Sequence, residues 1–387
     1  MPAARQKKRK IAITTTSRAE YGYFLPIIRE IEKNPSLDYG VIATDMHVLD
    51  RFGHSVDEMK KDRVKIAGSV FNTFDGYTHL TMVKSLSVFM LQLPEILDHM
   101  GADMLLVNGD RGAQLMAAIV GAYLYKPVAH VQSGEISGNI DGVSRHAITR
   151  FAHIHFASNK DAATRVRKMG EEPFRIFTVG APQLDDFLAG NITSPKILYK
   201  KYNLDPKKKT ILLMRHSVTE DFDKTEKHMA QTLEAVAHFH DANILVFMNN
   251  SDAGSTLLHR AIEHHRTPTM RIFPNVPRAD FGGLMSIASV LVGNSSSGIL
   301  EAPTFKLPAV NIGRRELGRL QGINVINAKE ETADIIRGIR KALSNEFQAK
   351  MKKCVNPYGD GKSSKRIVET LATIPIDEKL LIKRITY

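Results

Sequence analysis

Cysteine is all but missing. Cys354 is the single one in 387 residues, which excludes an internal disulfide and any zinc site built on cysteine. Such usage fits a reducing compartment. No HExxH pairing or matched carboxylate pattern accompanies the histidines, so His238, His240, His259, His264 and His265 read as surface residues on polar helix faces and no metal is expected. No uninterrupted apolar run reaches the length of about 18 residues that a membrane span needs, so a membrane role is not expected. The opening MPAARQKKRKIAITTT is basic but lacks the apolar core of a secretory signal, and the expectation is a cytoplasmic protein. Internal repeats and low-complexity tracts are absent too.

What is present in excess is positive charge. Lys and Arg number 53 against 41 Asp and Glu, a net charge of +12. Much of it sits at the ends, in RQKKRK (5–10), KMKK (350–353) and KRITY (383–387), where solvated tails and helix faces are the plain reading. Neither a nucleic-acid motif nor interleaved aromatics accompany the charge, which discounts DNA or RNA as a partner. A positive field also gathers small anions. The apolar fraction of 43% and charged fraction of 24% are those of an ordinary globular protein, and 387 residues exceed one ordinary core, so two domains are expected.

Along the chain, continuous apolar runs alternate with helical periods. Strands are expected at KIAITTTS (10–17), DYGVIATD (38–45), RVKIAGSV (63–70), DMLLVNGD (103–110), PVAHVQSG (127–134), IHFASN (154–159) and RIFTVG (175–180). Helices are expected between them, among them HVLDRFGHSVDEMKKD (47–62), HLTMVKSLSVFMLQLPEILDHMG (79–101), RGAQLMAAIVGAYLY (111–125) and SRHAITRFA (144–152). Residues 79–101 suit an interface, but a buried core helix is the better reading. The alternation resumes with TILLMRHS (210–217), NILVFMNN (243–250), MRIFPNV (270–276), SVLVGNSSS (289–297) and LPAVNIG (307–313), the last clear strand. Apolar strands alternating with helices make parallel sheets covered on both faces. The fold expected is α/β, with two doubly wound, Rossmann-like domains and a cleft between them. The first spans 1–183, a polar Pro- and Gly-punctuated linker and candidate hinge covers 184–209, the second spans 210–365, and a helix or tail at 366–387 is placed to cross back to the first.

Ligands in such sheets bind beyond the carboxyl ends of strands, and the candidate residues collect there. Asp110 follows one buried strand; Glu135 and Asp141 follow the next. Carboxylates sharing one pocket push their pKa values apart, as paired acid and base roles require. Asp110 and Asp141 also suit ordinary N-caps. GNSSSGILE (293–301) offers the N–H groups and hydroxyls of Asn294, Ser295, Ser296 and Ser297 to an anion, with Glu301 one turn on; the same turn reads equally as a capped helix start. TTTSRAEYG (14–22) places Arg18 at another strand-to-helix turn, and RHSVTED (215–221) places His216 at a strand end, where it is either structural or a proton shuttle.

Taken in order, TTSRAEYG, NGDR, HVQSGE with GNIDGVSRHAIT, RHS and NSSSGILE resemble the UDP-N-acetylglucosamine 2-epimerases, and more narrowly the hydrolysing branch of sialic- and legionaminic-acid biosynthesis. The resemblance spans roughly residues 10–370. It implies a glycosyltransferase-B-type fold with the substrate in the cleft. The reaction it implies is anti-elimination of UDP across C1–C2 of a UDP-sugar, then hydration of the resulting 2-acetamidoglucal with inversion at C2. It further implies a homodimer or homotetramer and no cofactor. Carried over by position, Asp110, Asp141 and His216 match residues needed for turnover; Ser295 and Ser296 match diphosphate contacts and Glu301 a ribose contact. Arg18, Arg145 and Arg315 fall where the family has arginines in or near the cleft, with His146 beside Arg145. The departure is Gln132, where the family often has a proton-transferring Glu, since an amide takes no proton at neutral pH. Three accounts stay open: proton transfer by Asp110, Glu135 or Asp141, an inactivating change, or binding without turnover. A non-hydrolysing epimerase and a retaining glycosyltransferase are the neighbouring alternatives.

Overall fold

The computed structural model describes residues 8–50, 53–74, 78–248 and 254–387. The first half forms a parallel sheet of β1 (Arg9–Thr15), β2 (Leu37–Thr44), β3 (Ile66–Val70), β4 (Met104–Asn108), β5 (Val128–Val131), β6 (Ile154–Ala157) and β7 (Ile176–Thr178). The second half forms another from β8 (Thr210–Met214), β9 (Asn243–Phe247), β10 (Met270–Phe273), β11 (Val290–Gly293), β12 (Ala309–Ile312) and β13 (Val325–Ala328). Their orders are β3-β2-β1-β4-β5-β6-β7 and β10-β9-β8-β11-β12-β13. Each sheet therefore reverses its winding once, between β1 and β4 and between β8 and β11. Those reversals open crevices at the carboxyl ends of the strands.

The sequence explains the layers. Strands β4, β5, β6, β11 and β12 are buried at every position, as strands covered on both faces must be. Helix Arg18–Lys33 begins at Ser17, whose hydroxyl accepts from the Glu20 N–H. Its Phe24, Ile27, Ile28 and Ile31 fall on one face and are buried against β1 and β2. Each such side chain contributes about 1.5–3 kcal/mol by leaving water.

Several expectations need correction. Residues 184–209 are not an irregular linker, because helices Gln183–Leu188 and Pro195–Lys201 occupy much of it. Leu198 and Tyr202, four apart, join the second half's core beside Leu284 and Leu291. The sequence also missed β13. The helix read at 47–62 includes residues 51–52, which lie outside the described residues; a 3-10 turn at Asp45–Val48 and a helix at Val56–Lys61 flank them. Helix His79–Met100 is not a core helix. Only Phe89, Leu93 and Leu97 are buried, while Leu80, Val83 and Leu91 are 65%, 59% and 77% exposed. By length and composition it is apolar enough to cross a membrane, contrary to the expectation from sequence. Here its inner side packs on the first sheet.

After β13 the chain returns to the first half. Ile367, Val368 and Leu371 of helix Ser363–Thr373 enter the core around β1 and helix Arg18–Lys33. Fully buried Arg175 donates to the carbonyls of Lys379, Leu380 and Ile382. The Lys383 ammonium meets the carbonyls of Thr149, Arg150 and Ala152 and the Glu171 carboxylate.

Candidate active site

A cavity of about 940 Å³ lies where the carboxyl ends of the two sheets face each other. Its first wall carries Arg18 and Glu20 after β1, Asp110 and Arg111 after β4, and Gln132, Ser137 and Arg145 after β5. The opposite wall carries His216 after β8, Pro274–Arg278 after β10, Ser295–Ser297 and Glu301 after β11, and Arg315, Glu316 and Arg319 after β12. Both switch points thus open into one space.

Asp110 is the centre of the first wall. Arg145, itself buried, grips its carboxylate and also donates to the Gln132 carbonyl at 3.0 Å. Ser137 donates to the same carboxylate at 3.1 Å. Burial pushes the Asp110 carboxyl up, but Arg145, Arg319, Arg315 and Arg111 outweigh it and hold the group below the usual carboxylate range. It is an anion at neutral pH. Glu135 behaves oppositely. Burial dominates over Arg319, Arg145 and Arg165 and pushes it up. It accepts from Asn159 at 2.9 Å and lies 3.8 Å from Arg319. Asp141 sits in the first turn of helix Ile140–Phe151, accepts from Asn139 at 2.9 Å and lies 3.9 Å from Arg315. Arg18 pairs with Glu58 at 2.9 Å at one edge of the cavity.

On the second wall, Gly293 ends β11 with φ of +136°, and a Cβ there would fall 1.9 Å from the Met214 carbonyl oxygen. Only glycine lets the serine turn sit this close to β8. The Ser297 N–H donates to the Ser295 hydroxyl at 3.4 Å. Asn294 is buried behind the turn. It accepts from the His216 N–H at 2.7 Å and donates to the His216 carbonyl at 2.9 Å, so it fixes the histidine's backbone. Glu301 is buried, its Oε2 has no hydrogen-bond partner among the described residues, and burial opposed by Arg278 pushes its carboxyl up.

The walls touch directly. The Gly138 N–H donates to the Arg315 carbonyl at 2.8 Å, and a Cβ on Gly138 would lie 2.0 Å from the Arg314 carbonyl oxygen. Arg319 reaches over to donate to the Ile136 carbonyl at 3.2 Å, while Glu316 holds Arg319 at 2.8 Å and Arg315 at 2.7 Å. Arg278 runs the other way, over Gly22 and onto the Gln183 carbonyl.

Of the residues singled out from sequence, Arg18, Asp110, Gln132, Arg145, His216, Ser295, Ser296, Ser297, Glu301 and Arg315 line the cavity. Glu135, Asp141, His146 and Asn294 are not among the lining residues. Asn294 supports His216 from behind, and His146 is half-buried on helix Ile140–Phe151, its pKa lowered by burial, Arg145 and Arg165. Sequence reasoning missed Glu20, Arg111, Arg278, Glu316 and Arg319. The signal for the last two was the spacing in GRRELGRL directly after a strand, which places Glu316 and Arg319 three residues apart.

Two doubly wound sheets with their carboxyl ends on one shared cleft define a twin-Rossmann α/β protein of the glycosyltransferase-B type. The crystal structure of UDP-GlcNAc 2-epimerase from Neisseria meningitidis bound to UDP-GlcNAc has this fold, with a TM-score of 0.79 over 94% of this chain and 99% of that one at 19% identity. The family model described as UDP-N-acetylglucosamine 2-epimerase matches residues 29–372. The UDP-N,N'-diacetylbacillosamine 2-epimerase (hydrolyzing) of Legionella pneumophila is 34% identical over 97% of this chain and 98% of its own. The GDP/UDP-N,N'-diacetylbacillosamine 2-epimerase (hydrolyzing) of Campylobacter jejuni is 30% identical over 88% and 89%. The chain belongs to the UDP-N-acetylglucosamine 2-epimerase family.

Proposed function

We propose that the protein is a hydrolysing UDP-sugar 2-epimerase. The C2–H and C1–O bonds of the bound sugar break, UDP leaves, and a C1=C2 double bond forms. Water then delivers hydroxide to C1 and a proton returns to the opposite face of C2. The products are UDP and the free, 2-epimerised sugar, which suits nonulosonic-acid synthesis. The observation that carries this reading is that Asp110 and Arg145 from one sheet line the same cavity as His216, Ser295–Ser297 and Glu301 from the other.

The C2 hydrogen is weakly acidic, so elimination needs a placed base and stabilisation of the departing diphosphate. Asp110, kept anionic by its arginines, is the base in this scheme. The N–H groups and hydroxyls of Ser295–Ser297, with Arg315, receive the diphosphate, and His216 supplies the proton near it. The unpartnered Glu301 oxygen suits a ribose hydroxyl donor. Glu135 and Asp141 stand behind the cavity wall and position Arg319 and Arg315.

The sugar in this reading is UDP-N-acetylglucosamine or its 4-acetamido-6-deoxy relative, the names of the two hydrolysing relatives favouring the latter. We place the enzyme in the cytoplasm as a homodimer or homotetramer, with the exposed apolar face of helix His79–Met100 as the contact. Incubation with both UDP-sugars and a GDP-linked counterpart tests the function, the mass and stereochemistry of the sugar being read together with phosphorus NMR. Free UDP with a C2-inverted free sugar is expected. A returned UDP-sugar makes the enzyme non-hydrolysing, and tight binding without release, restored by Gln132→Glu, makes the chain a binding protein. Turnover is expected to persist in chelator; loss there with recovery on adding magnesium refutes the metal-free scheme.

A further inference from the structure

The segment after helix Ser363–Thr373 draws in a lysine that a surface tail would leave in water. The Lys383 side chain is 15% exposed, and its ammonium meets four acceptors. They are the carbonyls of Thr149, Arg150 and Ala152 at 2.9, 2.9 and 2.5 Å and a Glu171 carboxylate oxygen at 2.9 Å. The segment is pinned on both sides of this residue. Before it, buried Arg175 donates to the carbonyls of Lys379, Leu380 and Ile382. After it, the Thr386 N–H donates to the Gly170 carbonyl at 3.2 Å, and Tyr387 packs so closely that a Cβ on Gly170 would fall 2.4 Å from its ring.

Two lines run from this ammonium to the cavity wall. The first is helix Ile140–Phe151. The carbonyls of Thr149 and Arg150 belong to its last turn, where they lack intrahelical donors and where a cation complements the helix dipole. One turn back, the Thr149 hydroxyl donates to the Arg145 carbonyl at 3.2 Å, and Arg145 grips Asp110. The second line passes through Glu171, whose other oxygen takes Arg150 at 2.6 Å. His155 meets Glu171 through Nε2 at 3.0 Å. Burial lowers His155 to about 4, so its ring is neutral, with the proton on Nε2 toward the carboxylate. Its Nδ1 is then an acceptor, 3.3 Å from the Ser133 hydroxyl. That hydroxyl is also 3.3 Å from the Thr149 hydroxyl, and Ser133 directly follows Gln132 in the cavity wall. Ser133, Thr149 and His155 are fully buried, and neither they nor Glu171 and Lys383 line the cavity. Resting on the reading of the cavity as an epimerase site, we propose that Lys383 is a positioning residue for the reaction. Its ammonium fixes the far end of helix Ile140–Phe151 and, through Glu171 and His155, the turn after β5, so that Arg145 holds Asp110 and the Gln132 carbonyl in register. Without it the helix-end carbonyls lose their donor, and a small shift of the helix carries Arg145 off Asp110.

The test compares UDP release by wild type, by Lys383→Met, which keeps the stem and removes the ammonium, and by Arg384→Met at the exposed neighbour, all well below their melting temperatures. Lys383→Met is expected to lower kcat about tenfold with KM within about twofold. It is also expected to move the acid limb of kcat/KM to higher pH, because Arg145 relaxes and leaves Asp110 to Arg319, Arg315 and Arg111. Arg384→Met is expected to match wild type. Ser133→Ala, at the far end of the second line, is expected to lower kcat too, and together with Lys383→Met to cost less than the product of the two effects. It decides the matter if Lys383→Met does not fold. An unchanged kcat, a fall in kcat with the acid limb unmoved, or an Arg384→Met as slow as Lys383→Met overturns the role of Lys383. Wild type that releases no UDP overturns instead the epimerase reading beneath it. Hydrogen exchange then still reads the clamp: amides of 140–151 that exchange faster in Lys383→Met than in wild type uphold it, and equal exchange overturns it.

Discussion

Replacing Glu20 with glutamine isolates one buried proton. Glu20 is 5% exposed on the cavity wall, and its Oε2 accepts from the Thr16 N–H at 2.7 Å, the Thr16 hydroxyl at 2.7 Å and Gln114 at 3.0 Å. Burial pushes its carboxyl from 4.5 to about 7, against the pull of Arg111 and those hydrogen bonds. That rise corresponds to about 3 kcal/mol at 1.36 kcal/mol per pH unit. The native state holds the proton more tightly than the unfolded chain, so stability from this group falls as pH rises from 4.5 to 7, and the whole cost is present above 7. Glutamine keeps an oxygen for the Thr16 donors and carries no charge at any pH. Buried histidines act in the opposite sense: His47 and His130, lowered to about 3, and His153 and His155, lowered to about 4, make stability rise with pH up to the ordinary histidine range. They are common to both proteins and cancel in the difference. Urea unfolding of wild type and Glu20→Gln between pH 5 and pH 8 should show the variant gaining about 2–3 kcal/mol relative to wild type across that interval. A difference that stays flat with pH means that Glu20 is ionised throughout and refutes the reasoning.

Gly138→Ala places a methyl 2.0 Å from the Arg314 carbonyl oxygen and forces the two walls apart. UDP release should fall by about 10–100-fold in kcat/KM, since misplacement by about 1 Å costs that much, while the melting temperature changes little. Arg145→Lys removes the fork that holds Asp110 and the Gln132 carbonyl together. Asp110 then moves up toward the ordinary carboxylate range, so the acid limb of the pH profile of kcat/KM should shift to higher pH. A profile unchanged in its acid limb removes Asp110 from the role of base.

The halves of the molecule were legible in the sequence because β1, β4, β5, β8 and β11 are short apolar runs, each ending in a polar or glycine-bearing loop. β13 was not. Its four residues, VINA, include one exposed and two partly exposed positions at the sheet edge, so no apolar run marks it. The helices inside 184–209 were hidden for a different reason. Pro195, read as punctuation within a loop, is the first residue of a helix, where its fixed φ and missing N–H cost nothing. Asp110, Gln132, His216 and the serines could be found because each follows a strand whose end opens on the cleft. Arg319 also follows such a strand, but its role shows only in the fold, where it meets the Ile136 carbonyl 183 residues away. The same arginine bears on the chemistry. Asp110, Glu135 and Asp141 look alike in sequence, three acids on two successive loops. Four arginines acting together hold the Asp110 carboxyl below its ordinary range, whereas at Glu135 burial prevails over three and pushes the carboxyl up. Arg319 acts on both acids and comes from the second half, so the second half contributes to the acid–base character of the first half's loops. Asp110 does not depend on that half to ionise, since Arg145 and Arg111 of its own half already act on it; the arginines of the second half hold its carboxyl lower still.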